Sequence, residues 1–182
     1  YQGYNKLEDV ILVCCLAHAR RKFFEAVPAA RRKRLKLLDI NSDEAIEDIS
    51  LPDEEEAKQL LPAEIGLLYC NKLFYLERTL KDLNPDERKQ QRDVLEQPVW
   101  DQFWNWLDTL HPTGGSKLGK AVNYAQNHHD TLMNYLLDGR CEISNNRAER
   151  KAKSYAIGRK AFLFHTSETG AGASAVMYSI VE

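Results

Sequence analysis

Along the middle of the chain, apolar residues recur at the spacing of one helix face. Ile65, Leu68, Tyr69, Leu73, Leu76 and Leu80 follow a 3.6-residue period that Asn84-Pro85 ends. Pro85 to Gln97 predicts a charged helix. Pro98 opens another, in which Val99, Trp100, Phe103, Trp104, Trp106 and Leu107 supply the aromatic bulk of a core. After Thr113-Gly114-Gly115-Ser116 a further helix is predicted to run unbroken to about Leu137, with Leu118, Val122, Ala125, His129, Leu132, Met133 and Leu136 inward. The N-terminal pattern is different. Val10 to Ala17 is a continuous apolar run rich in β-branched residues, which suits a strand buried on both faces of a sheet, and His18 to Phe24 predicts a helix directly after it. The fold class expected is therefore α/β but predominantly helical.

Charge divides the chain more sharply than hydropathy does. The total is -2, yet Arg31 to Lys36 is a basic block and Asp39 to Glu56 carries nine acidic residues with no Lys or Arg. Such blocks predict a solvated connection in which the two signs can pair. The apolar fraction of 43% is that of a globular domain, and no run of 18 apolar residues predicts a membrane span. Tyr1 is not Met and no signal-peptide pattern follows, so a piece of a longer cytoplasmic protein is expected. Cys14, Cys15, Cys70 and Cys141 form no CxxC pair, which argues against zinc and for reduced thiols.

The densest chemistry lies between Asp138 and His165. Asp138-Gly139 predicts a turn, and Ser144 or Asn145 the N-cap of a helix running to about Tyr155. On that helix Asn145, Asn146 and Glu149 share a face. From Arg140 to His165 there are seven Lys or Arg (140, 147, 150, 151, 153, 159, 160) against Glu142 and Glu149. A local excess of positive charge on a nearly neutral chain points to a polyanionic partner. Glu149 has two readings at this stage: an i,i+4 ion pair with Lys153, or a metal ligand facing a phosphate backbone.

The chain resembles the C-terminal half of the IS-sixty-six family of bacterial insertion-sequence transposases. The resemblance rests on Tyr1-Gln2-Gly3-Tyr4-Asn5-Lys6-Leu7, Cys15-Leu16-Ala17-His18-Ala19-Arg20-Arg21-Lys22-Phe23, Asp138-Gly139-Arg140, Asn145-Asn146-Arg147-Ala148-Glu149-Arg150 and Ala156-Ile157-Gly158-Arg159-Lys160, in that order. It implies a ribonuclease H-like catalytic domain with an Asp, Asp, Glu triad that cuts and joins DNA with Mg²⁺ or Mn²⁺. Glu149 would be the glutamate of that triad and a metal ligand. Both aspartates would lie before Tyr1, so Asp9 and Asp138 are not substitutes and this chain alone is expected to be inactive.

The same resemblance implies that His18, Arg20, Arg21, Lys22, Asn145, Asn146, Arg147, Arg150, Lys151, Arg159 and Lys160 face DNA. The expected parts are a ribonuclease H-like strand and helix at 1–27, a charged linker and helical insertion at 28–137, the glutamate helix with its basic segment at 138–165, and a C-terminal helical element at 166–182. Expected partners are transposon-end and target DNA, a second copy of the chain and accessory insertion-sequence proteins, in a nucleoid-associated setting and without a membrane. Two rivals stand beside this reading: a non-catalytic DNA-binding remnant, and a helical protein-interaction module built on Trp100 to Trp106.

Overall fold

The computed structural model describes residues 10–35, 50–146, 149, 150, 153, 167, 169–173 and 176. They belong to two compact units, Tyr1–Ile143 and Ser144–Glu182. The first unit is built from α1 (Leu16–Ala26), α2 (Ala29–Leu35), α3 (Glu54–Ala57), α4 (Pro62–Thr79), α5 (Pro85–Leu95), α6 (Gln97–Asp108), α7 (Lys117–Asn127), α8 (His129–Met133) and a 3₁₀ turn, Asn134–Leu137. Several boundaries follow from local chemistry. The Asn84 side chain accepts from the amides of Asp86 and Glu87 at 3.1 and 3.0 Å, and Pro85 starts α5 where no amide is needed. Ser116 caps α7 by accepting from Gly119 N at 2.9 Å.

Neighbouring helices close a ring around one core. α7 packs on α1, α1 on α4, α4 on α6, α6 on α5, α5 on the 3₁₀ turn, and the turn on α8, which returns to α7. Leu16, Phe23, Leu67, Leu73, Trp100, Phe103, Leu107, Leu132 and Tyr135 fill the centre, each about fully buried. Phe23 meets Phe103 edge-on at 6.1 Å between centroids, which joins α1 to α6 across the ring. The approach of α1 to α4 depends on Gly66, because a Cβ there would lie 2.5 Å from the Phe23 ring. The aromatic block of α6 is thus core, with Trp100 and Phe103 buried and Trp104 and Trp106 packed against it.

The helical expectation holds, and the α/β one is corrected. There is no strand among the described residues. Residues 10–15 are extended, as their β-branched side chains favour, but they join no ladder and are not covered on both faces: Val10, Ile11 and Val13 are 49%, 69% and 39% exposed. Three hydrogen bonds hold the segment instead, from Cys14 N to Thr131 O at 2.7 Å, from Asn134 Nδ2 to Leu12 O at 2.8 Å, and from Leu16 N to Ile143 O at 3.0 Å. The described residues therefore lack the sheet that a ribonuclease H-like portion requires.

Two smaller expectations also change. The helix predicted from Ser116 to Leu137 breaks at His128, whose ring folds back on Tyr124 at 4.3 Å while its Nδ1 donates to the Tyr124 carbonyl at 2.9 Å. The break turns His129 outward onto Asp130 and Trp104 rather than into the core. The basic block, expected as loop, forms α2 as far as Leu35. Arg31 pairs with buried Glu64 at 2.8 Å, and Arg32 donates to the Val27 and Glu25 carbonyls at the end of α1, both at 2.7 Å. Much of the acidic block, residues 39–49, lies outside the described residues.

Candidate functional site

The cations of α1 are placed in different surroundings. Arg20 turns inward, and its Nε donates to the fully buried Asn71 of α4 at 2.6 Å. Arg21 is exposed. Lys22 is half-buried, with its Nζ 5.0 Å from the centroid of the Tyr124 ring on α7. His18 is half-buried one turn before Lys22 and is also engaged. Burial pushes the Tyr124 hydroxyl up to about 12, assisted by Cys14 and Cys15.

The Asp138-Gly139-Arg140 turn is built from inside. Arg92 of α5 is fully buried and uses all five of its N–H donors. Nε and Nη2 grip Glu77 of α4 at 2.6 and 3.0 Å. Nη1 donates to the carbonyls of Tyr135 and Asp138 at 2.8 and 2.9 Å, and Nη2 also donates to that of Cys141 at 2.7 Å. One side chain therefore fixes three carbonyls within seven residues of chain. Gly139 closes the other side of the turn, where an added Cβ would lie 1.9 Å from the Pro85 carbonyl oxygen. Outside, Arg140 donates from its own amide and guanidinium to Asp138, which holds that carboxyl well below the usual carboxylate range.

Glu96, between α5 and α6, completes the buried cluster. Its Oε2 accepts a short hydrogen bond from the Tyr135 hydroxyl, which in turn accepts from Trp100 Nε1 at 3.0 Å. Its Oε1 meets no donor. Burial first, and the Glu77 charge second, push the Glu96 carboxyl up to about 9. Glu96 is therefore protonated at neutral pH, and that proton lets it face the Glu77 carboxylate. Burial also works against the charge on Glu77, but the Arg92 hydrogen bonds and charge prevail and hold its pKa below the ordinary value. Sequence reasoning missed this cluster. Arg92 and Glu77 stand 15 residues apart with no local mark, whereas Tyr135, three after Leu132, could have been found from its spacing.

In the second unit the backbone is helical at 146, 149, 150 and 153. The Asn145 carbonyl accepts from Glu149 N at 2.8 Å, which places Asn145 at the N-cap and Glu149 in the first turns. Asn145, Glu149, Arg150 and Lys153 are exposed, and Asn146 is half-buried. Arg147, Lys151, Arg159 and Lys160 lie outside the described residues. Among the described residues no three His, Cys, Asp or Glu side chains converge on a metal position. Glu149 offers oxygen donors of the kind Mg²⁺ prefers, but one carboxylate cannot by itself hold a pair of such ions. No described helix is long and apolar enough to cross a membrane.

The model of the family described as "Transposase IS66 family" matches residues 1–173. Two uncharacterized proteins of Sinorhizobium fredii are among the relatives. One, y4hP, is 29% identical over 180 residues, covering 97% of this chain and 30% of its own length. The other, y4jD, is 28% identical over 183 residues, covering 100% of this chain and 30% of its own. The chain thus spans about 30% of the length of the curated relatives it matches. No solved structure matches it.

Proposed function

The chain belongs to the Transposase IS66 family, and from that premise we propose that it is the part of a DNA-cutting and strand-joining transposase that carries the glutamate of an Asp, Asp, Glu triad. Glu149 is that residue. The observation that carries the reading is the start of the second unit, where Asn145 caps the helix and presents Glu149 and Arg150 to solvent within its first turns. A carboxylate beside cations at a helix start can meet a phosphate backbone while the neighbouring Arg offsets the charge of the DNA.

Mg²⁺ or Mn²⁺, when bound, supplies Lewis-acid stabilisation of the oxygen that attacks and the oxygen that leaves. Glu149 would contribute one carboxylate to that site, and the remainder of the transposase the others. Asn146, Arg150, Arg147, Lys151, Arg159 and Lys160, together with Arg21 and Lys22, would bind and orient the phosphates of the transposon end or target. On this reading the chain by itself neither cleaves nor joins DNA.

The test is Glu149→Gln in the full-length transposase. Cleavage and strand transfer are expected to fall by on the order of 100-fold or more, with DNA affinity retained. Unchanged transposition would overturn the assignment and leave a DNA-binding remnant, in which Glu149 is a surface residue of its helix. The interaction-module reading loses its main support, because Trp100 and Phe103 are buried inside the first unit.

A further inference from the structure

The chain carries 27 acidic residues, yet residues 10–24 and 109–129 contain none. α7 lies wholly in the second stretch and α1 in the first except for its last two residues, of which the exposed Glu25 is its one acidic residue, and the two helices pack against each other. On α7, Lys117, Lys120, Tyr124 and His128 recur at intervals of three and four and so form one stripe, while Ala121, Val122 and Ala125 point to the core. That stripe borders α1, because Lys22 lies over Tyr124 and His128 stacks on the other part of the same row.

Arg21, Lys117 and Lys120 are exposed and form no ion pair among the described residues. Elsewhere in this unit Arg31, Arg88, Arg92 and Arg140 all sit on carboxylates. Lys22 is the informative case. A cation–π contact positions its ammonium without neutralising it, whereas a carboxylate would have done both. Four cations on these two packed helices therefore form no ion pair with a carboxylate of the described chain, and the one acid of either helix, Glu25, stands a turn beyond Arg21.

We propose that the α1–α7 seam is a sequence-independent site for duplex DNA, with Lys117, Lys120, Lys22 and Arg21 on successive phosphates. The proposal rests on the reading of the chain as part of a transposase, and it adds α7 to the surface that handles DNA. Cations spaced along two helices suit a polyphosphate, which they can neutralise whatever its base sequence. Tyr124 and His128 act as positioning residues that keep Lys22 at the seam.

The experiment is a salt titration of the 182-residue chain with a short duplex of arbitrary sequence, read by fluorescence anisotropy. Lys117→Gln with Lys120→Gln should weaken binding severalfold and reduce the slope of log affinity against log salt by about two, and adding Arg21→Gln by about one more. Lys81→Gln with Lys89→Gln, also at exposed positions, should leave the slope unchanged. Circular dichroism should report the same helix content in every variant. The proposal is overturned if the α7 double variant keeps the wild-type slope, if the control pair lowers it equally, or if the wild-type chain fails to bind duplex at low salt. A loss confined to binding of an acidic protein would also overturn it. Glu149→Gln separates the two ideas: inactivity there with an unchanged α7 slope sinks the seam alone, and full activity there with a reduced slope sinks only the catalytic assignment.

Discussion

Arg92 and Glu77 meet inside the protein through two parallel contacts, Nε to Oε1 at 2.6 Å and Nη2 to Oε2 at 3.0 Å. Both are buried, Arg92 fully so, and the remaining donors of the guanidinium are spent on the carbonyls of Tyr135 in the 3₁₀ turn and of Asp138 and Cys141 beyond it. The pair is costly to desolvate, and its worth lies in what it holds in place.

Arg92→Met should therefore destabilise the first unit by about 3–5 kcal/mol, because three carbonyls lose their donor and the Glu77 carboxylate is left with Arg88 as its one cationic partner among the described residues. Arg92→Lys should recover only part of this, since an ammonium has three donors and no fork. Urea denaturation followed by far-UV circular dichroism measures both. A loss below about 1 kcal/mol for Arg92→Met would contradict the cluster described here.

Glu96→Gln keeps the shape of the protonated carboxyl, with an amide N–H facing Glu77 and an oxygen facing the Tyr135 hydroxyl. The sign of the pH dependence follows from linkage. The folded pKa of Glu96 is raised to about 9, so from its unfolded value upward the native state must hold a proton that the unfolded chain has released. That costs stability progressively until about pH 9. Relative to the wild type, the Gln variant should gain stability between pH 5 and pH 9, by at most ~1.4 kcal/mol per pH unit. Denaturant midpoints at three pH values test this, and an equal difference at each would refute it. Glu77 acts oppositely: its lowered pKa contributes stability above its unfolded value that is lost as pH falls.

Gly139→Ala should cost about 1–3 kcal/mol or more, because the new methyl group meets the Pro85 carbonyl and backbone must move. Gly114→Ala and Gly115→Ala meet nothing within 4 Å and should lie within about 0.5 kcal/mol of wild type. Thermal melts of the three variants side by side give the comparison. Equal melting temperatures would show that the turn does not depend on the close approach.

Tyr135→Phe removes one hydroxyl and leaves Glu96 Oε2 and Trp100 Nε1 without their shared partner. A loss of about 1–3 kcal/mol is expected, larger than for an exposed tyrosine. Trp100 fluorescence should also change, since its indole N–H loses its acceptor.

The helices from Pro62 onward were legible because their apolar period and their Asn, Ser and Pro caps are local signals. Val10 to Ala17 misled for a physical reason. A β-branched run prescribes extended backbone but not a partner strand, and the described chain supplies only scattered hydrogen bonds to it. His128 misled because its break comes from a ring folding onto Tyr124, which no period encodes. At the candidate site, Asn145 and Glu149 were placed by capping grammar, whereas the Glu77, Arg92 and Glu96 cluster depends on contacts between helices that sequence spacing does not reveal. The acid-free stretches were visible as sequence, but their meaning needed the packing of α1 on α7.

The guanidinium bonded to three carbonyls between Tyr135 and Cys141 also sets how that stretch can move. A surface turn of this length would ordinarily open on its own many times for each global unfolding event. Here, opening Tyr135 to Cys141 would strip a buried arginine of carbonyl acceptors it cannot replace, so the stretch has no inexpensive local excursion. Its main-chain bond from Cys141 N to Asp138 O at 3.0 Å should exchange hydrogen at the rate of the whole helical ring rather than at that of a loop.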